Sequence, residues 1–205
     1  MVKILIQRIV SLKQEIEPIV SQRLNEFAKM RCARPSTLFK ELCFCLLTAN
    51  FQSAKSIVIQ KSINNGFLTL SAKQLETQLR RHGYRFPKTR AERIVEARQW
   101  IHNLRGLFAF DDFAARGWLA RNVKGLGMKE SSHYLRNVGF THVAILDRHV
   151  LSLLEEDGIV RPTTLTPKKY VKIESHLANM CTKTKLSQAA LDLYLFYMKT
   201  GKILK

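Results

Sequence analysis

Residues 112–140 read DFAARGWLARNVKGLGMKESSHYLRNVGF, and this stretch decides the predicted fold. A helical pattern around Trp118 runs into KGLG at 124–127, and a second helix begins directly after it. Two glycines permit a tight turn whose backbone can approach another chain closely. We interpret residues 112–138 as a helix-hairpin-helix in which Leu126 packs between the helices. The alternative is an ordinary helical hairpin with a Gly-X-Gly turn.

The turn of this hairpin is a candidate binding site for a phosphate. The N-terminus of the second helix offers unpaired N–H groups and a partial positive charge, both of which favour an anion. Lys124 precedes the turn and is well placed for a phosphate contact. The sequence therefore predicts backbone binding, independent of base sequence, at Lys124, Gly125 and Gly127.

Helical patterns also fill the rest of the chain, with almost no strand-like alternation. Pro18 is predicted to break or kink a helix over 3–29. Ser71 and Gln74 form a capping box, which marks another helix start. The other predicted helices cover 37–48, 52–64, 87–103 and 112–121, with further helices opening at Thr166-Pro167 and at Ser187. Because no internal repeat or long linker is evident, we predict one compact all-α unit.

The charge balance favours a polyanionic partner. The 205 residues contain 34 Lys and Arg against 16 Asp and Glu, a formal net charge of +18. Neutralising phosphates releases counterions, so nucleic acid is the leading candidate. A generically basic surface is the alternative, and a membrane surface is disfavoured because the charge is spread along the chain. With no signal-peptide pattern and no long apolar run, we expect a soluble, cytoplasmic, nucleoid-associated protein.

The four cysteines do not predict a metal site. Their spacing matches neither a zinc ribbon nor an iron–sulfur pattern. Cys43 and Cys45 lie in the apolar stretch LCFCLLTAN, which indicates buried free thiols. We therefore expect no metal-thiolate centre.

Lys129 is the candidate nucleophile. It falls in the first turn of the helix after the hairpin, where the helix dipole and the surrounding positive charge disfavour an ammonium. A lysine amine attacks carbon only when deprotonated, so this position suits Schiff-base chemistry. In isolation, the residue would more often be a phosphate contact. Lys124 is the competing lysine.

Asp147 is the candidate catalytic carboxylate. It is a short acidic residue directly before an apolar-periodic helix, as expected of an N-cap. Capping alone is the alternative and, from position alone, the favoured one. Backbone N–H bonds also favour the ionised form. Such a carboxylate could stabilise a developing cation or help to free a lysine amine.

The segments KGLGMKESS (124–132) and ILDRHV (145–150) together resemble the HhH-GPD superfamily of DNA glycosylases. In that superfamily, the catalytic pair is a lysine after the hairpin and an aspartate about eighteen residues on, here Lys129 and Asp147. The resemblance implies two helical subdomains with the active-site cleft between them. The implied bounds are about 36–139 for the central subdomain, and about 1–35 plus 140–205 for the second.

The ending DLYLFYMKTGKILK and the short length are similar to the compact archaeal-type 8-oxoguanine DNA glycosylase/AP lyases. Members of the superfamily that carry a C-terminal four-cysteine iron–sulfur loop differ from this chain, whose four cysteines do not have that spacing. The resemblance implies a monomer that excises 8-oxoguanine from duplex DNA through a lysine Schiff base and nicks the strand by β-elimination. No cofactor is implied, although hairpin carbonyls could hold a structural monovalent cation. The alternatives are a glycosylase for another lesion and a non-catalytic DNA-binding module.

The resemblance also implies residues that hold the DNA around the extruded nucleotide. TAN at 48–50 looks like the segment whose asparagine, Asn50, fills the vacated space. Tyr84 and Arg85 look like the wedge and the reader of the orphaned cytosine, with Phe86 beside them. The alternatives are a helix C-cap for Asn50 and a loop anchor for the cluster 84–86.

Four further residues complete the predicted site. Lys55 and His149 are candidate DNA contacts, with a solvated lysine and a helix-surface histidine as the alternatives. Asp192 could meet the base or pair with a lysine. Lys205, in the ending GKILK, could enter the lesion pocket and offer a carboxylate to the base. The alternative for the ending is a frayed terminus.

Overall fold

The computed structural model describes residues 3–159 and 162–205, and the described residues form helices without any β-strand. This confirms the predicted all-α class. Two segments are 3₁₀ helices, Met30–Cys32 and Arg98–Ala109. The α-helices are α1 Lys3–Lys29, α2 Pro35–Thr48, α3 Ser53–Ile63, α4 Gly66–Thr69, α5 Ala72–Arg81, α6 Pro87–Ala97, α7 Asp112–Asn122, α8 Met128–Asn137, α9 Arg148–Glu156, α10 Pro167–Thr184 and α11 Gln188–Thr200. None of these helices is long and apolar enough to cross a membrane.

Local capping chemistry explains several of the helix starts. The predicted capping box is present, since the Ser71 hydroxyl accepts from Gln74 N–H and the Gln74 side chain accepts from Ser71 N–H. Asp111, Thr166 and Ser187 cap α7, α10 and α11 through a side-chain oxygen alone. Each of these residues supplies a side-chain oxygen to a backbone N–H group that has no partner within its helix.

Of the two outcomes predicted for Pro18, a break and a kink, the break does not occur, because α1 runs through this residue. Ile16 and Val20 on either side are buried, so packing of this face outweighs the single backbone bond that proline removes. The helix from Pro87 ends at Ala97 instead of about 103. There the Arg98 guanidinium donates to carbonyls near the end of α4, which ties the following 3₁₀ segment to a distant part of the chain.

Buried apolar residues form two clusters. The first lies within residues 38–143, and the second draws on 5–27 and 144–195. Buried charges bridge them, because Arg116 of α7 donates to both carboxylate oxygens of Glu174 in α10, at 2.6 and 2.8 Å. The predicted subdomain bounds remain a prediction.

The hairpin joins α7 to α8 through two glycines with different roles. Gly125 has φ +96°, a backbone conformation that favours glycine, and a Cβ atom there would lie 2.7 Å from Cδ of Arg93, whose side chain would have to shift. Gly127 is extended and forms the N-cap of α8. Leu126 is buried in the first apolar cluster, as predicted for the residue between the helices.

Candidate active site

A cleft of about 980 Å³ opens between the two apolar clusters. One wall comes from the end of α2, the start of α3 and one face of α8. The other comes from residues 145–149, α11 and the chain that follows it. The predicted site residues that line the cleft are Asn50, Lys55, Arg85, Phe86, Lys129, Asp147, His149, Asp192 and Lys205. The cleft thus gathers residues from distant parts of the sequence.

Lys129 extends from the first turn of α8 into the cleft. Its ammonium lies 2.9 Å from Oε1 of Glu130, and 28% of its side chain is exposed. His133 and Arg136 follow at helical spacing and line the same cleft. Burial, then the positive charges of Arg136 and Lys129, hold the pKa of His133 well below its usual range. The Lys129 ammonium therefore contacts the Glu130 carboxylate and shares its helix face with an imidazole whose protonation is disfavoured.

Asp147 both caps a helix and lines the cleft. Its Oδ1 accepts from the backbone N–H groups of His149 and Val150, each at 2.9 Å. No group in the described part of the chain donates to Oδ2. The two interpretations of Asp147 are therefore compatible, because one oxygen holds the helix while the other remains for the cleft.

Asp192 forms a buried ion pair in the cleft wall. Arg136, not a lysine, donates to its carboxylate. Burial raises the pKa of Asp192 to about 6, the Arg136 guanidinium opposes this rise, and the Asp147 carboxylate adds to it. Around neutral pH this wall of the cleft therefore carries a carboxylate and a guanidinium in direct contact.

The ending of the chain is docked into the cleft and is not frayed. Gly201 has φ +64° and its N–H donates to the Tyr197 carbonyl, which ends α11 and turns the chain. Ile203 packs on the second apolar cluster, and Leu204 and Lys205 line the cleft. The Lys205 ammonium contacts Glu41 and Gln60 in the first cluster's helices.

Comparisons with known proteins match this arrangement over nearly the whole chain. Residues 20–186 match the family described as 8-oxoguanine DNA glycosylase. The chain belongs to this family. Curated 8-oxoguanine DNA glycosylase/AP lyases of Methanocaldococcus jannaschii and Korarchaeum cryptofilum are each 45% identical, covering 98% and 93% of this chain and 99% and 92% of their own.

Solved structures of relatives share the fold. The crystal structure of the M. jannaschii 8-oxoguanine glycosylase/lyase with a 15mer DNA containing 8-oxoguanine is 44% identical, with a TM-score of 0.96, covering 98% of this chain and 100% of its own. The 8-oxoguanine DNA glycosylase of Thermotoga maritima is 38% identical with a TM-score of 0.96, and all of both chains is covered. The predicted family and fold are therefore confirmed.

In this 8-oxoguanine glycosylase family member, Tyr84 does not face the cleft. Its ring is buried, its hydroxyl donates to the Leu47 carbonyl at 2.8 Å, and its ring centroid lies 4.6 Å from that of Phe51. The aromatic ring therefore fixes the loop to α2, since burial and a satisfied hydroxyl hold it in place. This placement favours the loop-anchor interpretation over a wedge in DNA.

The neighbours of Tyr84 are placed differently. Phe86 is 49% exposed, and the Arg85 guanidinium stacks on it, 5.0 Å from the ring centroid. Asn50 follows α2 with φ +60° and is exposed at the cleft, so it lies beyond the C-cap residue Ala49. An exposed aromatic ring, a guanidinium and an amide thus share one rim of the cleft.

The remaining predicted DNA contacts lie on separate surfaces. Lys124 is outside the cleft, 69% exposed, with its ammonium 3.6 Å from Glu96, and the turn of Gly125 and Gly127 lies beside it. Lys55 is exposed on α3, whereas His149 is half-buried with its ring edge against Phe196. Backbone binding at the hairpin and contacts in the cleft are therefore separate predictions.

The cysteines are free thiols, and Cys43 and Cys45 are buried as predicted. Burial raises the pKa of both thiols well above the usual range. Among the described residues, no three metal-ligating side chains lie together. The thiols of Cys43 and Cys45 belong to the first apolar cluster.

Sequence reasoning missed two polar residues that line the cleft, His133 and Arg136, and two that contact site residues, Glu41 and Glu130. For His133 and Arg136, a signal was available, since they lie four and seven residues after Lys129 and share its helix face. Glu130 adjoins Lys129 in the first turn. Glu41 carries no such signal, because its partners are distant in sequence.

Proposed function

We infer that this protein is a bifunctional DNA glycosylase/AP lyase that excises 8-oxoguanine from duplex DNA and nicks the strand. One observation carries the inference. Lys129 and Asp147, the lysine and carboxylate that the chemistry needs, come from different helices and line one cleft in a member of this family.

The Lys129 amine attacks C1′ of the damaged nucleotide. The bond from C1′ to the base breaks, the base leaves with its electron pair, and the sugar ring opens to an imine on Lys129. Loss of a C2′ proton then expels the 3′ phosphate by β-elimination. The imine accepts the electrons of this step, so no cofactor is proposed. Oδ2 of Asp147 is proposed to stabilise the positive charge that develops on the sugar.

A base within a duplex cannot reach this cleft, so the nucleotide has to be extruded. The net charge of +18 supplies affinity for the phosphates, and the hairpin turn supplies a backbone contact. Asn50, Arg85 and Phe86, on the rim, support the vacated position. Lys55 and His149 are proposed as further DNA contacts.

A panel of lesion duplexes tests the function. Single-turnover excision and borohydride trapping are measured on duplexes that contain 8-oxoguanine, guanine, an oxidised pyrimidine, an alkylpurine or an abasic site. We expect excision with 8-oxoguanine and trapping with 8-oxoguanine and the abasic site. A faster rate on another lesion would reassign the substrate, and binding without any adduct would indicate a non-catalytic module.

We also propose that the enzyme acts as a monomer in the cytoplasm, at the nucleoid. One chain supplies both walls of the cleft, so the proposed chemistry does not need a second copy. The location follows from the proposed substrate, which is genomic DNA. Sedimentation of the DNA complex tests the monomer.

Arg85→Ala should weaken the preference for lesions that lie opposite cytosine. The guanidinium is exposed at the cleft and can donate to the acceptors of an orphaned cytosine. Each such contact contributes about 1–3 kcal/mol of discrimination, so we expect a roughly tenfold loss of preference. Single-turnover rates opposite each of the four bases measure it. An unchanged preference would remove Arg85 from this role.

Removal of Lys205, or residues appended after it, should reduce 8-oxoguanine excision much more than cleavage at a preformed abasic site. Leu204 and Lys205 line the cleft, whereas the abasic reaction needs Lys129 and no base contact. We expect excision to fall by on the order of tenfold or more, because a carboxylate there would accept hydrogen bonds from the guanine edge. Equal rates on both substrates would exclude the ending from base recognition.

A further inference from the structure

Glu41 is a buried carboxylate that the proposed chemistry does not use. It lies in α2, surrounded by the first apolar cluster, and 8% of its side chain is exposed. A buried charge is costly unless it is paired and hydrogen-bonded. Its partners come from three other segments: Gln60 in α3, Asn137 in α8 and Lys205 in the ending of the chain.

One arm of this network is a socket for the Lys205 ammonium. The ammonium donates to Oε2 of Glu41 at 2.7 Å and to Oε1 of Gln60 at 2.5 Å, and it lies 4.5 Å from the ring centroid of Phe44. Gln60 is itself held, because its amide donates to the Lys40 carbonyl at 2.8 Å. The socket is therefore built from fixed groups, with Glu41 as its carboxylate.

The other arm reaches the wall of the cleft. Asn137 donates to Oε1 of Glu41 at 2.7 Å and accepts from Nε and Nη2 of Arg136 at 3.1 and 2.8 Å. Arg136 in turn pairs with Asp192. Glu41 thus connects the ending of the chain to the ion pair of the cleft, although it does not line the cleft itself.

We propose that Glu41 is a positioning residue that holds Lys205 and the Arg136–Asp192 pair in one geometry for recognition of the damaged base. The proposal rests on the proposed function. Lys129 is outside this network, since its ammonium contacts Glu130. Glu41 therefore affects recognition of the damaged base and not the attack by Lys129.

The physical reason is the charge that Glu41 neutralises. With glutamine at this position, the Lys205 ammonium would be three-quarters buried with no carboxylate, which is unfavourable. The ending of the chain would then leave the cleft for water. Asn137 would keep an oxygen acceptor, so α8 would be less affected.

Glu41→Gln tests the proposal with two measurements. Single-turnover excision of 8-oxoguanine should fall by on the order of tenfold, while nicking of an abasic duplex changes by less than about twofold, because only the base contacts depend on the socket. Limited trypsin digestion reports on docking directly. Cleavage after the exposed Lys202 releases residues 203–205, and this release should be on the order of tenfold faster in the variant.

Two further variants complete the design. Lys205→Met should resemble Glu41→Gln, and the double variant should be no worse than Lys205→Met if Glu41 acts through this lysine. Glu174→Gln is the matched control, because it also removes a buried, paired carboxylate, but one that pairs with Arg116 and is not part of the socket. It should lower stability and leave the ratio of the two activities and the trypsin release unchanged.

Equal losses of both activities in Glu41→Gln, or wild-type resistance to trypsin, would overturn the proposal, as would additive effects in the double variant. The proposed function is tested separately. If the wild-type protein did not excise 8-oxoguanine, that function would fail, while the trypsin measurement would still decide whether Glu41 docks Lys205.

Discussion

Lys129→Gln should abolish the adduct that borohydride traps on DNA containing 8-oxoguanine, while duplex binding persists. An amide nitrogen has no available lone pair for attack on C1′, so no imine can form. We expect excision and nicking to fall by roughly 10⁴-fold or more, as when other enzymes lose their nucleophile. Covalent trapping on gels and single-turnover rates measure the loss.

The control for this substitution is Lys124→Gln, which removes the neighbouring lysine of the hairpin. Lys124 lies outside the cleft and should affect DNA affinity but not trapping. Lys129 is partly exposed and contacts only Glu130 among the acidic residues described, so its loss should change the thermal midpoint little. If Lys129→Gln still traps DNA and Lys124→Gln does not, the nucleophile is Lys124.

Asp147→Asn should slow base removal by about 10²–10⁴-fold, the range expected when a group that moves a proton or stabilises charge is lost. The fold should persist, because asparagine caps helices about as well as aspartate and Oδ1 can keep both backbone bonds. The variant loses the negative charge that faces the developing cation. Single-turnover rates and thermal unfolding measure the two effects separately.

Asp111→Asn provides a matched control. Asp111 caps α7 with the same geometry, accepting from two backbone N–H groups at 2.9 and 2.8 Å, but it does not line the cleft. It should therefore change stability as much as Asp147→Asn and leave catalysis intact. A loss of activity in Asp147→Asn that merely follows its loss of stability would support a capping role alone.

The sequence predicted those parts of the site that depend on local chemistry. Gly125 and Gly127 predicted the hairpin because glycines permit a tight turn, and Gly125 does have the positive φ that favours glycine. Asp147 predicted a helix start because its short side chain satisfies free N–H groups of the next turn. The sequence also predicted Lys129 as the nucleophile, because its position at a helix N-terminus can be recognised from the neighbouring residues. The spacing between Lys129 and Asp147 then carried the family resemblance.

Only the tertiary structure decided the contacts between residues that are far apart in the chain. The pairing of Lys205 with Glu41 spans 164 positions, and that of Arg136 with Asp192 spans 56. Tyr84 is buried because α2 offers it the Leu47 carbonyl. Buried polar groups take whichever partner the packed helices bring within reach, and local periodicity carries no record of that partner. The sequence by itself therefore determined the helices and the hairpin and predicted Lys129 as the nucleophile, whereas packing determined which side chains surround them.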